Sequence, residues 1–186
     1  SMTDAPIPQA ETASIFNETL LANAAMAQAD KKEKLSLLEG NLMETNQTIV
    51  DIYSRYLFET EVIDTRADHA MSVDELKDAM LRAQEASYGD GLDPEIRHPY
   101  MWACKSHYYS SGYNFYNFPY AFGELFAKGV FAQYLQKGAA FVPDYCRLLR
   151  SCGSGTIADV AASVGIDVRN PDFWRSSLEV VKGNID

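Results

Sequence analysis

Apolar residues recur along this chain at three- and four-residue intervals, and no stretch alternates apolar with polar over the length of a strand. From Glu11 to Ala29 the chain is rich in Ala, Leu and Glu, with Pro6 and Pro8 marking the entry and Phe16 and Leu20 on one side. A longer helix is predicted from about Lys31 to Thr65, carrying Leu35, Leu38, Leu42, Ile49, Ile52, Tyr53, Tyr56 and Leu57 near helical spacing. Gly40 weakens it locally, by about 1 kcal/mol against alanine. Ser72 with Glu75 is a capping-box pair and opens a helix to about Ser87. The string YGDGLDPEIRHP that follows is a loop, punctuated by glycines and prolines. A helix is predicted to resume at Tyr100 and to be interrupted at SSGYN. Phe118–Lys137 is another, ended by Gly138. Short helices are expected near Pro143–Arg150, Thr156–Val164 and Pro171–Lys182, the last with Asn170 as N-cap and Pro171 at its first position. The fold class is therefore all-α, expected as a single multi-helix domain over residues 1–186, with Ser1 and Met2 reading as a tag remnant.

Composition narrows the function classes. At 186 residues with 47% hydrophobic and 23% charged positions, the chain can bury a core. A net charge of −10, with no basic stripe, argues against nucleic acid and against an anionic membrane surface. No apolar run reaches the roughly 20 residues of a membrane helix, and the start lacks a signal-peptide pattern. Three cysteines without a CxxC pair fit free thiols in a reducing compartment, so a cytoplasmic location is expected.

The candidate chemistry sits in two places. His107–Phe126, HYYSSGYNFYNFPYAFGELF, holds five tyrosines, four phenylalanines and one histidine. Each buried phenol must find a partner or lose about 1–3 kcal/mol. A segment with so many hydroxyls is expected to line a wet cavity, rings behind and oxygens inward; an aromatic core with tyrosines at its rim explains the composition about as well. In the first helix Glu11, Ser14 and Glu18 stand at i, i+3 and i+7 on one polar arc. A solvated face is the ordinary reading of such an arc; a carboxylate there could also complete a metal site, though never alone. His69, His98 and His107 form no HExxH motif, and no two lie at i, i+4. His69 reads as surface, His98 as a loop residue, and SCGSGT (151–156) as a turn.

Two strings carry a resemblance. AETASIFNETLL (10–21) is similar to the segment that follows the HExxH helix in oligoendopeptidase F, one of the thimet-oligopeptidase-like zinc peptidases, and FYNFPYAFGELF (115–126) resembles the same family's C-terminal substrate-binding segment. The likeness covers nearly the whole chain in the right order, including the SYGDG loop. It implies the C-terminal catalytic-region portion of a thimet- or neurolysin-like helical peptidase that hydrolyses short oligopeptides. It implies Glu11 as the third zinc ligand, with Ser14 and Glu18 supporting it. It implies His107, Tyr113 and Tyr120 facing the scissile carbonyl, with Tyr116 and Gly112 at the substrate. Gly112 would let the loop bend toward a peptide.

The metal-binding pair and general-base glutamate of the family are absent from this sequence. The chain is expected to be inactive alone, to bind no zinc tightly, to need an upstream HExxH-bearing partner, and to self-associate through exposed apolar surface. A non-catalytic helical peptide-binding module is the alternative, and a purely structural helical domain fits the hydroxyl-rich run less well.

Overall fold

A computed structural model describes residues 7–185, with side chains from residue 12 onward. All regular structure among the described residues is helical: α1 (Ile7–Gln28), α2 (Lys31–Asn46), α3 (Ile52–Arg66), α4 (Val73–Tyr88), α5 (Phe118–Lys137), α6 (Val142–Arg150), α7 (Ile157–Ala162) and α8 (Pro171–Lys182). The chain divides into two compact units. One runs to Thr45 and resumes at Phe122; the other is Asn46–Ala121.

In the first unit, rings from four helices and a turn make the core. Phe16 stacks on Tyr145 at 4.1 Å and meets Phe131 edge-on at 6.1 Å, with Phe126, Phe141, Leu148, Val160 and Phe173 buried around them. Gly129 is required here. A Cβ on it would stand 2.5 Å from the Phe173 ring and 2.7 Å from Ser177 Oγ, so α5 and α8 could not pack this closely with any other residue. Thr156 caps α7 with Asp159 in a capping box. Asn170 caps α8 ahead of Pro171, as the sequence predicts.

The second unit is built on α3 and α4. Phe58, Ala79, Met80 and Ala83 are its buried centre, covered by Leu57, Leu76, Trp102 and Tyr108. The Ser72–Glu75 capping box is present and opens α4. The buried amide of Gln84 ties down the following loop, accepting from His98 N at 3.1 Å and donating to His98 O at 3.0 Å. His98 is thus a structural loop residue.

Two expectations about helices need correction. The long helix from Lys31 does not run unbroken as an α-helix: Gln47–Asp51 is π-helical, one widened stretch between α2 and α3. The helix expected from Tyr100 does not form; two short 3₁₀ turns, Met101–Cys104 and Ser106–Tyr109, replace it. The reason is packing. Trp102 and Tyr108 both lie against Phe58, at 6.4 and 5.5 Å between ring centres. Six residues apart on an α-helix, they would point about 120° away from each other.

Candidate active site

The π-helical stretch ends on Asp51, and its carboxylate is the root of a buried polar chain. Asp51 Oδ2 pairs with Arg55, one turn on, and Asp51 Oδ1 accepts from Tyr88 Oη at 3.3 Å. The Tyr88 phenol is pushed up to about 12 by its burial and by Asp51 beside it, so it stays neutral. Arg55 reaches onward: its Nη1 donates to Asn117 Oδ1 at 3.4 Å. Asn117 Nδ2 lies 2.9 Å from His107 Nε2. Burial, with the charges of Arg55 and Lys105 nearby, holds His107 below the ordinary imidazole value.

His107 lines a cavity of about 630 Å³ within this unit, together with Phe58, Glu59, Arg66, Trp102, Tyr108 and Asn114. Of the five tyrosines in the aromatic segment, Tyr108 and Tyr109 line this cavity, and the hydroxyls of both are bonded to backbone carbonyls. Tyr108 Oη donates to Arg55 O at 3.5 Å, and its burial pushes the phenol well above its usual value. Tyr109 Oη donates to Ala103 O at 3.1 Å. Glu59 is buried at 9% exposure, and Phe115 N donates to its Oε1 at 2.7 Å. Burial raises the Glu59 carboxyl above its ordinary value, and the Phe115 bond works against that rise. Phe115 is the one non-glycine among the described residues with left-handed backbone, at φ 53°. That conformation costs a side-chain-bearing residue about 1–2 kcal/mol, and the Glu59 bond offsets it. The segment turns at Phe115 and also at Ser111–Gly112, where Tyr113 N donates to Ser110 O at 3.1 Å. Gly112 does not have left-handed backbone, and a Cβ on it would meet open space.

The four candidate aromatic and histidine residues come together around Tyr116. Its ring is 5.8 Å from His107, 5.3 Å from Tyr113 and 6.0 Å from Tyr120, and its hydroxyl is 3.3 Å from Tyr120 Oη. Tyr113 and Tyr116 are 54% and 38% exposed, open enough to meet a ligand. Glu11 lies in α1, but its side chain is outside the described residues. Ser14 is exposed. Glu18 sits in an acidic group: its carboxyl is raised by lost hydration, then by Glu44 and Glu124, with a hydrogen bond to Glu44, while Lys128 opposes the rise.

Sequence reasoning missed Arg55, Asn117, Glu59 and Asp51. A signal existed for two of them. Asp51 and Arg55 stand at i, i+4 on the helix side that also carries Ile52 and Phe58, an unusual place for charge unless the two pair. Asn117 lay inside the FYNFPY string, where only the tyrosines drew attention.

Zinc is the group the resemblance implies. No three of His, Cys, Asp and Glu cluster closely enough to hold a metal ion among the described residues, so these do not form a zinc centre by themselves.

Comparison with known proteins gives a consistent result. The family model described as "Peptidase family M3" matches residues 1–180. Oligopeptidase PepF of Bacillus subtilis is 24% identical over 180 residues, covering 95% of this chain and 26% of that protein. The oligoendopeptidase F homolog of Lactococcus lactis is 26% identical over 186 residues, covering 98% and 30%. The crystal structure of oligoendopeptidase-F from Enterococcus faecium matches with a TM-score of 0.81 at 21% identity, over 96% of this chain and 34% of that one, a likeness of fold. The chain spans less than a third of the length of these two curated relatives.

Proposed function

The chain belongs to peptidase family M3, and from that premise we propose that it supplies the substrate-facing part of a zinc metalloendopeptidase of the oligoendopeptidase F kind, acting on short oligopeptides. The observation that carries the reading is the meeting of His107, Tyr113 and Tyr120 at Tyr116 in a chain with oligoendopeptidase relatives. A neutral phenol is a suitable donor to a peptide carbonyl oxygen as that oxygen gains negative charge. Tyr120 and Tyr113 take this role, His107 stands beside them, and Tyr116 with the Gly112 backbone contacts the peptide.

Glu11 would be this chain's contribution to the zinc ligands, with Ser14 and Glu18 supporting it and an HExxH-bearing part supplying the rest. On its own the chain does not cleave peptides and does not hold zinc tightly. The same reading makes it a cytoplasmic protein with no nucleic-acid or membrane partner; no helix among the described residues is long and apolar enough to cross a membrane. Leu21, Leu35 and Met43, each about 70% exposed, favour self-association or cover by an upstream part. The cavity of the second unit also suits a non-catalytic peptide-binding module.

The test joins the chain to an HExxH-bearing segment and follows cleavage of a short quenched peptide. Glu11→Ala should abolish zinc binding. Tyr120→Phe should lower turnover about 10²–10³-fold, the usual loss for one oxyanion donor, with zinc retained. Full activity in Tyr120→Phe would overturn the role given to that phenol. Peptide binding without any cleavage in the joined protein would favour the binding module.

A further inference from the structure

The polar chain ending on His107 fixes more than its position. Arg55 has only donors, so the Asn117 amide atom facing it must be the oxygen, and Oδ1 lies there at 3.4 Å. The amide nitrogen is then turned toward His107, with Nδ2 at 2.9 Å from Nε2. An amide NH₂ can only donate, so Nε2 must offer a lone pair. The proton of a neutral His107 therefore sits on Nδ1, which has no hydrogen-bond partner among the described residues. Asp51 in turn holds Arg55 in reach, and Tyr88 holds Asp51.

We propose that Arg55 and Asn117 are positioning residues that hold His107 as the neutral Nδ1–H tautomer, so that His107 acts as a hydrogen-bond donor through Nδ1. The tautomer follows from the geometry alone; its use on a peptide carbonyl rests on the peptidase reading above. The charged groups around the ring agree. Arg55 and Lys105 are cations that oppose a second proton, while Glu59, on the cavity wall, accepts from Phe115 N, and Asp51 is engaged by Arg55 and Tyr88. A histidine whose Nε2 is occupied by an amide donor cannot serve as a base through that nitrogen. This separates it from a general-base histidine, and it makes Arg55 matter to the site although it need not touch substrate.

The experiment is ¹⁵N NMR of the histidine rings in the unmodified 186-residue chain, with His107 assigned by comparison with His107→Gln. The expected result is a proton-bearing Nδ1 and a lone-pair Nε2 near neutral pH. Asn117→Asp keeps the shape but turns an acceptor toward the ring, and should move the proton to Nε2. Arg55→Lys keeps the charge beside Asp51 but loses the second arm of the fork, and should give a mixture of the two tautomers. A proton on Nε2 in the unmodified chain overturns the proposal, as does a tautomer unchanged in Asn117→Asp. An unchanged tautomer in Arg55→Lys removes Arg55 from it. None of these readouts depends on cleavage, so a failed peptidase reading with an Nδ1–H tautomer would remain visible as a separate result.

Discussion

Glu124 with Lys128 on α5, and Asp51 with Arg55 at the start of α3, are both i, i+4 ion pairs taken largely out of water. The first makes its hydrogen bonds within a closed set of side chains, with Glu18 and Glu44 beside it. Lys128 is 2% exposed, its Nζ is 3.1 Å from Glu124 Oε1, and the same oxygen accepts from Thr45 Oγ1 at 3.2 Å. The second is open at one end, because Arg55 spends one nitrogen on Asp51 and another on Asn117. Its Nε is buried with no partner among the described residues. The contrast teaches that a buried pair does not mark a site; what the pair reaches does.

The largest expected effect lies on the closed pair. Lys128→Met should leave Glu124 as an uncompensated buried charge and cost about 3–5 kcal/mol in urea unfolding, much of which Lys128→Met with Glu124→Leu should recover. The His107 ring signals should not move in either variant. Asp51→Asn comes next. Arg55 is less fully buried, so the loss should be about 1.5–3 kcal/mol, the range for a hydrogen bond to a charged group, and here the His107 tautomer should change as well. If both pairs cost stability and neither touches His107, the distinction between them fails.

The smallest effect is on pH dependence. The folded state holds His107 below the ordinary value of 6.5, so the unfolded chain takes up the proton first. Stability from this group is present above 6.5 and is lost as the pH falls through the lowered folded value. Glu59 acts with the opposite sign in a lower window: its raised carboxyl contributes stability that is lost as the pH rises through its folded value. Subtracting the unfolding profile of His107→Gln from that of the unmodified chain isolates the histidine. The difference should slope upward with pH below 6.5 and be flat above it.

Much of the fold was legible because its signals are local. The Ser72–Glu75 and Asn170–Pro171 starts, the helix beginning at Phe118 and the turn at 151–156 all need only neighbouring residues. What failed depended on distant partners. Nothing in Tyr100–Tyr109 says that Trp102 and Tyr108 must share Phe58, and nothing in TIVDI says that the helix widens there. The site divides the same way. His107 and the tyrosines stood out by composition, whereas Asn117 becomes informative only once Arg55, 62 residues away in sequence, is seen to face its oxygen. Gly112, singled out by residue type, does lie in a turn, whereas the left-handed backbone at Phe115, stabilised by Glu59, has no signal in the residues around it.

If the ring cluster around Tyr116 is the peptide-facing surface, a bound peptide must touch it. A crystal structure of the chain joined to an HExxH-bearing segment, with a non-hydrolysable short peptide bound, tests it most directly. The oxygen that mimics the scissile carbonyl should lie within about 2.7–3.1 Å of the Tyr120 hydroxyl, with His107 Nδ1 turned toward the peptide. A peptide seated on another surface, with Tyr113, Tyr116 and Tyr120 untouched, would contradict it.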